Sequence, residues 1–417
     1  MKTTTKRKST AAGIAGEHAA GIPAPAESAK SYECVALVLQ GGGALGSYQC
    51  GVFEAMDAAG LHPHWVAGTS IGAVNGAIIA GNPPERRVER MHAFWDTVCE
   101  PMGVGVPIAM GVRALLDALP SVPALHAWAN SLGALGALTL GQQGFFQPRA
   151  ISPFLLADGS PQATSFYDTA PLKSTLEAFI DFDRINARGG VRLSVGATSV
   201  STGNLRYFDS AHERIGPEHI MASGALPPAF AAIEIDGDQY WDGGLASNTP
   251  LDHVLTELPR RDTLVLQVDL WSARGRLPRT MGDVFDRQKD IMYSSRTRLG
   301  TDTQAQLHRL RHVLHELLQA APEAAVDPQL RRALRAFTCD RVFNIVHLIY
   351  EAKPYEEQFK DYAFGLGTMR EHWAIGLADM QKTLAHPDFF VKPPRSASVV
   401  THDVHRIVAA RENGDTA

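Results

Sequence analysis

Apolar positions along this chain follow two textures. Short, almost uninterrupted aliphatic and β-branched runs stand at residues 35–40 ("VALVLQ"), 64–68 ("HWVAG"), 192–200 ("RLSVGATSV") and 263–270 ("TLVLQVDL"). A run without polar alternation is the signature of a strand covered on both faces. Helix-like spacing fills the intervals, so residues 32–274 read as successive βαβ units around a mostly parallel sheet. "LRYFDS" (205–210) and "AAIEIDGDQYWDGG" (231–244) predict shorter strands, the second a hairpin about Asp236 and Gly237. The expected fold class is α/β, with a central sheet flanked by helices.

Beyond Arg274 the texture changes. The stretch "MGDVFDRQKDIMYSSRTRLGTDTQAQLHRLRHVLHELLQA" (281–320) is long, charged and helical in period, with Leu307, Leu310, Leu314 and Leu317 or Leu318 on one face. "RVFNIVHLIY" (341–350) reads as a strand and "TMREHWAIGLADMQKTL" (368–384) as a closing amphipathic helix. These patterns predict a mainly helical C-terminal extension over 275–395 that returns one strand to the main sheet, then a tail over 396–417. Residues 101–148 form an apolar insertion rich in Gly, Ala and Pro. It is open to two readings: short helices packed on the core, or a cap whose apolar inner face covers a lipid site.

Composition narrows the function classes. The 417 residues are 45% hydrophobic and 20% charged, ordinary values for a globular chain. A net charge of −5 gives no general attraction to nucleic acid or anionic lipid, leaving only local patches. Cys34, Cys50, Cys99 and Cys339 are scattered without CxxC spacing, which favours a reducing compartment and a cytoplasmic location. Gly13, Gly16, Glu17 and His18 interrupt the only candidate signal-peptide core, so residues 1–31 are expected to be a disordered tail. No run reaches the roughly 18 apolar residues of a membrane span. The nearest, 102–140, is broken by Arg113, Asp117, His126, Pro107, Pro120 and Pro123. Any membrane contact is expected to be peripheral.

Candidate chemistry begins just after the first strand. Gly41, Gly43 and Gly46 fit G-x-G-x-x-G at a strand-to-helix junction, where backbone N–H groups can approach a negative charge. A dinucleotide site would also need an acidic residue about 20 positions on, to hold a ribose. Gly68, Thr69 and Ser70 occupy that place, and Asp57 belongs to the first helix pattern. Gly68-Thr69-Ser70-Ile71-Gly72 instead matches G-x-S-x-G between a strand and a helix. Such a turn exposes a serine hydroxyl, and its flanking glycines remove side chains that would clash. Two further stretches are ordinary by themselves: "MASGALPPAF" (221–230), a helix end broken by Pro227 and Pro228, and Asp242-Gly243-Gly244, an Asp-Gly turn after a strand.

In this order, the Gly-rich loop, G-x-S-x-G, "ASGALPPAF" and "DGG" resemble the four sequence blocks of the patatin-like phospholipases, over about residues 33–270. "KDYAFGLGTMREHW" (360–373) is similar to the C-terminal extension of a subset of bacterial members. The resemblance implies a three-layer core and a serine lipid acyl hydrolase. Ser70 would be the nucleophile and Asp242 its base, in a dyad with no obligatory histidine. The N–H groups of Gly42, Gly43 and Ala44 would form the oxyanion hole, each donor worth about 3 kcal/mol. Lipid would be the substrate, and neither a metal nor an organic cofactor is implied. One departure stands out, since many members carry Arg or Lys where this chain has Leu45.

Other readings remain open on the sequence. A Ser…Asp…His triad would draw on His253, the first histidine after Asp242. The same dyad could serve an acyl transferase, and a non-catalytic lipid-binding protein would keep the fold without the chemistry. His308, His312 and His315 lie at i, i+4 and i+7 but lack an HExxH pattern, and read as a solvated polar face rather than a metal site. Arg287, Lys289, Arg296, Arg298, Arg309 and Arg311 are interleaved with Asp283, Asp286, Asp290 and Asp302, as on an ordinary helix surface.

Overall fold

The computed structural model describes residues 22–100, 136–137, 139–352 and 360–412. Its strands are β1 (Cys34–Leu39), β2 (Trp65–Thr69), the short pair β3 (Gln147–Pro148) and β4 (Tyr167–Asp168), β5 (Arg192–Ser199), β6 (Leu205–Asp209), β7 (Ile233–Ile235), β8 (Asp238–Asp242), β9 (Thr263–Asp269), β10 (Phe343–Ile349) and β11 (Val399–Asp403). The helices are α1 (Pro25–Ala29), α2 (Gly46–Ala58), α3 (Ile71–Ala80), α4 (Arg87–Cys99), α5 (Ala170–Phe179), α6 (Phe182–Ile185), α7 (Pro217–Ser223), α8 (Leu251–Thr256), α9 (Met281–Ala320), α10 (Pro328–Phe337), α11 (Leu366–Leu384) and α12 (Val404–Glu412).

Among the described residues the main sheet runs β11-β10-β9-β1-β2-β5-β8-β7, with β6 also on β5. Every neighbour pair from β11 to β5 is parallel. The contacts of β6 and β8 with β5, and of β7 with β8, are antiparallel. The β7–β8 hairpin turns at Asp236 and Gly237, both at positive φ, as a two-residue turn matched to strand twist requires.

The unbroken apolar runs are central strands, and their alternate residues feed two cores. Val35, Leu37 and Leu39 of β1 pack with α2, α3, α4 and α11 on one side. Cys34, Ala36 and Val38 pack with Leu251, Val254 and Leu255 of α8 on the other, where Ala305 of α9 also leans in. Helices, sheet and helices make three layers. The chain adds β2 and β5 on one side of β1 and β9 on the other, so the order reverses at β1. In open α/β sheets the crevice beyond the strand ends at such a reversal is the usual place for a ligand.

Three expectations change. Residues 396–417 are not simply a tail, because β11 pairs in parallel with β10 and α12 follows it. The extension thus returns two strands to the sheet. The polar residues of "VVTHD" hide this from pattern reading, since the strand exists only by pairing with β10. Part of the expected N-terminal tail is folded: α1 buries Ser28 and Ala29, while residues 1–21 lie outside the described residues. The inward face of α9 matches the predicted leucine row only in part, with Leu318 buried and Leu307 and Leu314 half-buried. Leu310 and Leu317 are exposed, whereas His308 and His312 are buried. His308 sits 3.0 Å from the Leu255 carbonyl, and burial pushes its pKa down to about 4. A neutral imidazole that donates to a carbonyl can fill a core position that pattern reading reserves for aliphatic residues. Of the expected cap, residues 101–135 lie outside the described residues.

The extension is fastened to the core most closely where α11 crosses α2. A Cβ on Gly376 would stand 2.0 Å from the Tyr48 carbonyl oxygen, so only glycine lets the two backbones meet. Tyr48 also donates to Asp379 at 3.1 Å. Gly376→Val is expected to destabilise the chain by about 1–3 kcal/mol, the usual range for overpacking. Thermal melting followed by circular dichroism checks this, and an unchanged midpoint would contradict the close crossing.

Candidate active site

Ser70 occupies the single residue between β2 and α3, with φ 54° and ψ −126°. Non-glycine residues seldom hold such a conformation, at a cost of about 1–3 kcal/mol. The surroundings enforce it. A Cβ on Gly68 would lie 2.3 Å from the Gly72 carbonyl oxygen, and one on Gly72 would lie 2.3 Å from that of Leu39. The Ser70 N–H donates to Ser223 Oγ at 2.9 Å, and the Ser223 hydroxyl donates to the Gly196 carbonyl at 2.6 Å. Ser223 belongs to "ASGALPPAF", so that stretch braces the turn as well as shaping a loop.

Asp242 reaches the same place through the sheet. Thr69, the last residue of β2, pairs with Gly196 of β5, and Asp242, the last residue of β8, pairs with the next residue, Ala197. The two strands run toward each other on one edge of β5, and their ends carry Ser70 and Asp242. The Ser70 hydroxyl lies beside the Asp242 carboxylate, close enough to pull its pKa down. Oδ1 of Asp242 accepts from the Gly244 N–H at 2.7 Å. Only 3% of Asp242 is exposed, and burial pushes its pKa up to about 6 against the pull of both neighbours. Gly243 fits against the Gly196 carbonyl oxygen.

The glycine loop closes the site from the end of β1. Gly41, Gly42 and Gly43 line the cleft, Ala44 is buried, and Gly46 opens α2 against Ile71. The Gly41 carbonyl accepts from Asn248 Nδ2 at 3.0 Å and Trp271 Nε1 at 2.8 Å. A trans peptide is planar, so fixing this oxygen fixes the Gly42 N–H on its opposite side. Among the described residues no protein acceptor takes the N–H of Gly42, Gly43 or Ala44. Gly43 has φ +56°, and a Cβ there would meet the Asp361 carbonyl oxygen at 2.3 Å. Leu45 is wholly buried, so its side chain is part of the core.

These pieces line a cleft of about 770 Å³, counting the part open to solvent. Its walls are apolar: Ile71 and Val74 from α3, Phe145 and Phe146, Leu172, Ile220, Leu226, Phe230, Trp271 and Phe364. Leu226 and Phe230 come from "ASGALPPAF". Phe145 and Phe146 come from the described end of the insertion expected to cap a lipid site. Tyr293, Asp361, Tyr362 and Phe364 come from the extension; the last three lie in "KDYAFGLGTMREHW", whose resemblance gives them no role. They are held by crossed ion pairs, Lys289–Asp361 at 2.8 Å and Lys360–Asp290 at 2.7 Å.

A model of the patatin-like phospholipase family matches residues 37–255, more than half of the chain. The chain belongs to the patatin-like phospholipase family. Membership supports lipid acyl hydrolysis as its general activity. A second family model, described as patatin phospholipase, matches residues 291–396 and so takes in most of the extension. No curated protein matches the chain in sequence. Among solved structures, VipD from Legionella pneumophila is similar at 15% identity, over 92% of this chain and 77% of that one. The TM-score of that match is 0.31.

Within this patatin-like site the alternatives fare unequally. His253 lies elsewhere, 3.2 Å from both Asp209 Oδ2 and Ser194 Oγ and stacked on Tyr207. No histidine is among the described residues lining the cleft. Among the described residues the lining holds two carboxylates, Asp242 and Asp361, and no Lys or Arg, a poor setting for a bound pyrophosphate. Among the described residues no group of three or more His, Cys, Asp or Glu side chains could hold a metal ion. No described helix is long and apolar enough to cross a membrane.

The raised pKa of Asp242 links it to stability with a definite sign. Between about pH 4 and 6 the folded chain keeps a proton here that the unfolded chain has lost, so stability falls as pH rises through 6. Asp242→Asn keeps an acceptor for Gly244 without the buried charge. It is expected to raise stability at pH 8 by roughly 1–3 kcal/mol and to have little effect near pH 4. Paired melting curves check this, and destabilisation at pH 8 would contradict it.

Proposed function

We propose that this chain is a serine lipid acyl hydrolase cleaving carboxylic ester bonds of phospholipids, lysophospholipids or related acyl lipids. The observation that carries the reading is the Ser70 hydroxyl beside a buried Asp242 carboxylate in the lining of an apolar cleft. A serine hydroxyl is a weak nucleophile until a neighbouring base removes its proton. Asp242, with a pKa of about 6, is ionised at neutral pH yet basic enough for that task.

In this mechanism Asp242 takes the Ser70 proton as Oγ attacks the acyl carbon. The N–H groups of Gly42, Gly43 and Ala44 receive the oxyanion. Collapse expels the alcohol, which leaves with the proton from Asp242, and the acyl group stays on Ser70. Water, deprotonated by Asp242, then attacks the acyl carbon, and Ser70 departs with that proton as the fatty acid is released. The apolar walls suit the acyl chain. With two carboxylates and no cation among the described lining residues, an anionic headgroup is expected to sit outside.

Labelling with a fluorophosphonate probe tests this. The native chain and His253→Ala are expected to label, Ser70→Ala not at all, and Asp242→Asn about 10²–10⁴-fold more slowly. The native rate should fall about tenfold per pH unit below about 6. Undiminished labelling of Ser70→Ala would overturn the assignment.

A further inference from the structure

The first turns of α9 are amphipathic with the usual polarity reversed. Arg287, Lys289, Asp290 and Tyr293 face the body of the protein. Arg287 donates to the carbonyls of Ser272 and Ala273, Lys289 and Asp290 pair with Asp361 and Lys360, and Tyr293 packs on Trp271 with ring centres 5.1 Å apart. Met281, Val284, Phe285, Ile291 and Met292 are all exposed. At about 100° per residue these five fall within an arc of roughly 120° on the far side of the helix. A surface helix ordinarily buries its apolar stripe and turns its charges to water. Here the charges hold the helix to the protein and the stripe faces outward.

The segment leading into α9 extends this patch. Leu277 is 89% exposed, and Arg274, Arg276 and Arg279 are exposed with no ion pair among the described residues. No acidic residue lies between Trp271 and Thr280. The nearest, Asp283, is engaged at the helix start, where its carboxylate accepts from the N–H groups of Arg279 and Thr280. The helix that carries the patch also walls the cleft with its opposite face, because Tyr293 lines it, and Lys289 and Asp290 hold the 360–361 turn against it.

We infer that this face, the arginines of 274–279 together with the outer stripe of the first turns of α9, docks the protein on an anionic lipid bilayer beside the cleft. The inference rests on reading the chain as a lipid acyl hydrolase, whose substrate must leave a bilayer. Apolar side chains flanked by unpaired basic ones suit the boundary between acyl chains and anionic headgroups. A second copy of the chain is a poorer occupant. A two-fold contact would set the same arginine-rich segment against itself.

Co-sedimentation of the full chain with phosphatidylcholine vesicles, with and without phosphatidylglycerol, tests the inference. The native chain is expected to bind the anionic vesicles more tightly, and less so as salt rises. Replacing Arg274, Arg276 and Arg279 together by Gln should weaken that binding by roughly 100-fold. Phe285→Asp combined with Ile291→Asp should reduce it to background. Both variants should keep native rates of fluorophosphonate labelling and of soluble short-chain ester hydrolysis, which separates this test from that of Ser70. Equal binding to both vesicle types, or undiminished binding by either variant, would overturn the docking face. So would a solution dimer that the Phe285→Asp, Ile291→Asp variant splits while the native chain ignores vesicles.

Discussion

Two strands end head to head on one edge of β5, and the site follows from that register. β2 climbs the edge as far as Gly196, and β8 descends it as far as Ala197, so Thr69 and Asp242 become neighbours across consecutive residues. A one-residue slip of β8 would turn Asp242 to the opposite face of the sheet. The register is secured by burial: Gly243 fits against the Gly196 carbonyl, Thr198 Oγ1 donates to the Asp242 carbonyl at 3.0 Å, and the Asp242 N–H donates to that of Ala225 at 2.9 Å. Ser70 need only leave β2 by a sharp turn to meet the carboxylate.

The neighbouring pieces make that meeting chemically useful. A buried carboxylate is costly unless hydrogen bonds compensate, and the Gly244 N–H together with the nearby Ser70 hydroxyl offsets enough of that cost to keep Asp242 ionised at neutral pH. The glycine loop is fixed from behind by Gln40. Its Oε1 accepts from the Leu270 and Trp271 N–H groups at 2.6 and 3.0 Å, and its Nε2 donates to Thr249 at 2.9 Å and the Tyr293 carbonyl at 3.3 Å. One side chain thus joins the ends of β1 and β9, the segment after Asp242, and α9. The extension is a wall of the cleft and part of the sheet. That explains why it cannot be read as an appended helical unit.

What was legible in the sequence divides along physical lines. Strands buried on both faces announce themselves by unbroken apolar runs, so β1, β2, β5 and β9 were visible, as was the Asp236–Gly237 turn. The turn around Ser70 and the glycine loop stand out because strained turns and close backbone contacts restrict the residue types allowed, whereas Asp242, in an ordinary Asp-Gly turn, becomes a candidate only through the resemblance. What stayed hidden depends on long-range pairing. β11 is a strand only beside β10. Tyr293, Tyr362 and Phe364 reach the cleft through long-range contacts, the crossed ion pairs and ring packing on Trp271 and Phe145 among them, and His308 passes for a surface residue until its contact with the Leu255 carbonyl is seen. The leucine row of α9 misled because that helix turns part of its apolar surface outward.

The central claim is that the register of β5 makes Ser70 the residue that carries the acyl group. Rapid-quench mass spectrometry of the intact chain mixed with a phospholipid, followed by peptide mapping, tests it most directly. The account predicts a fatty acyl ester on the peptide containing Ser70, formed before the bulk release of fatty acid and lost when Ser70 is replaced by Ala. An acyl ester carried by any other residue, or undiminished turnover by Ser70→Ala, would contradict it.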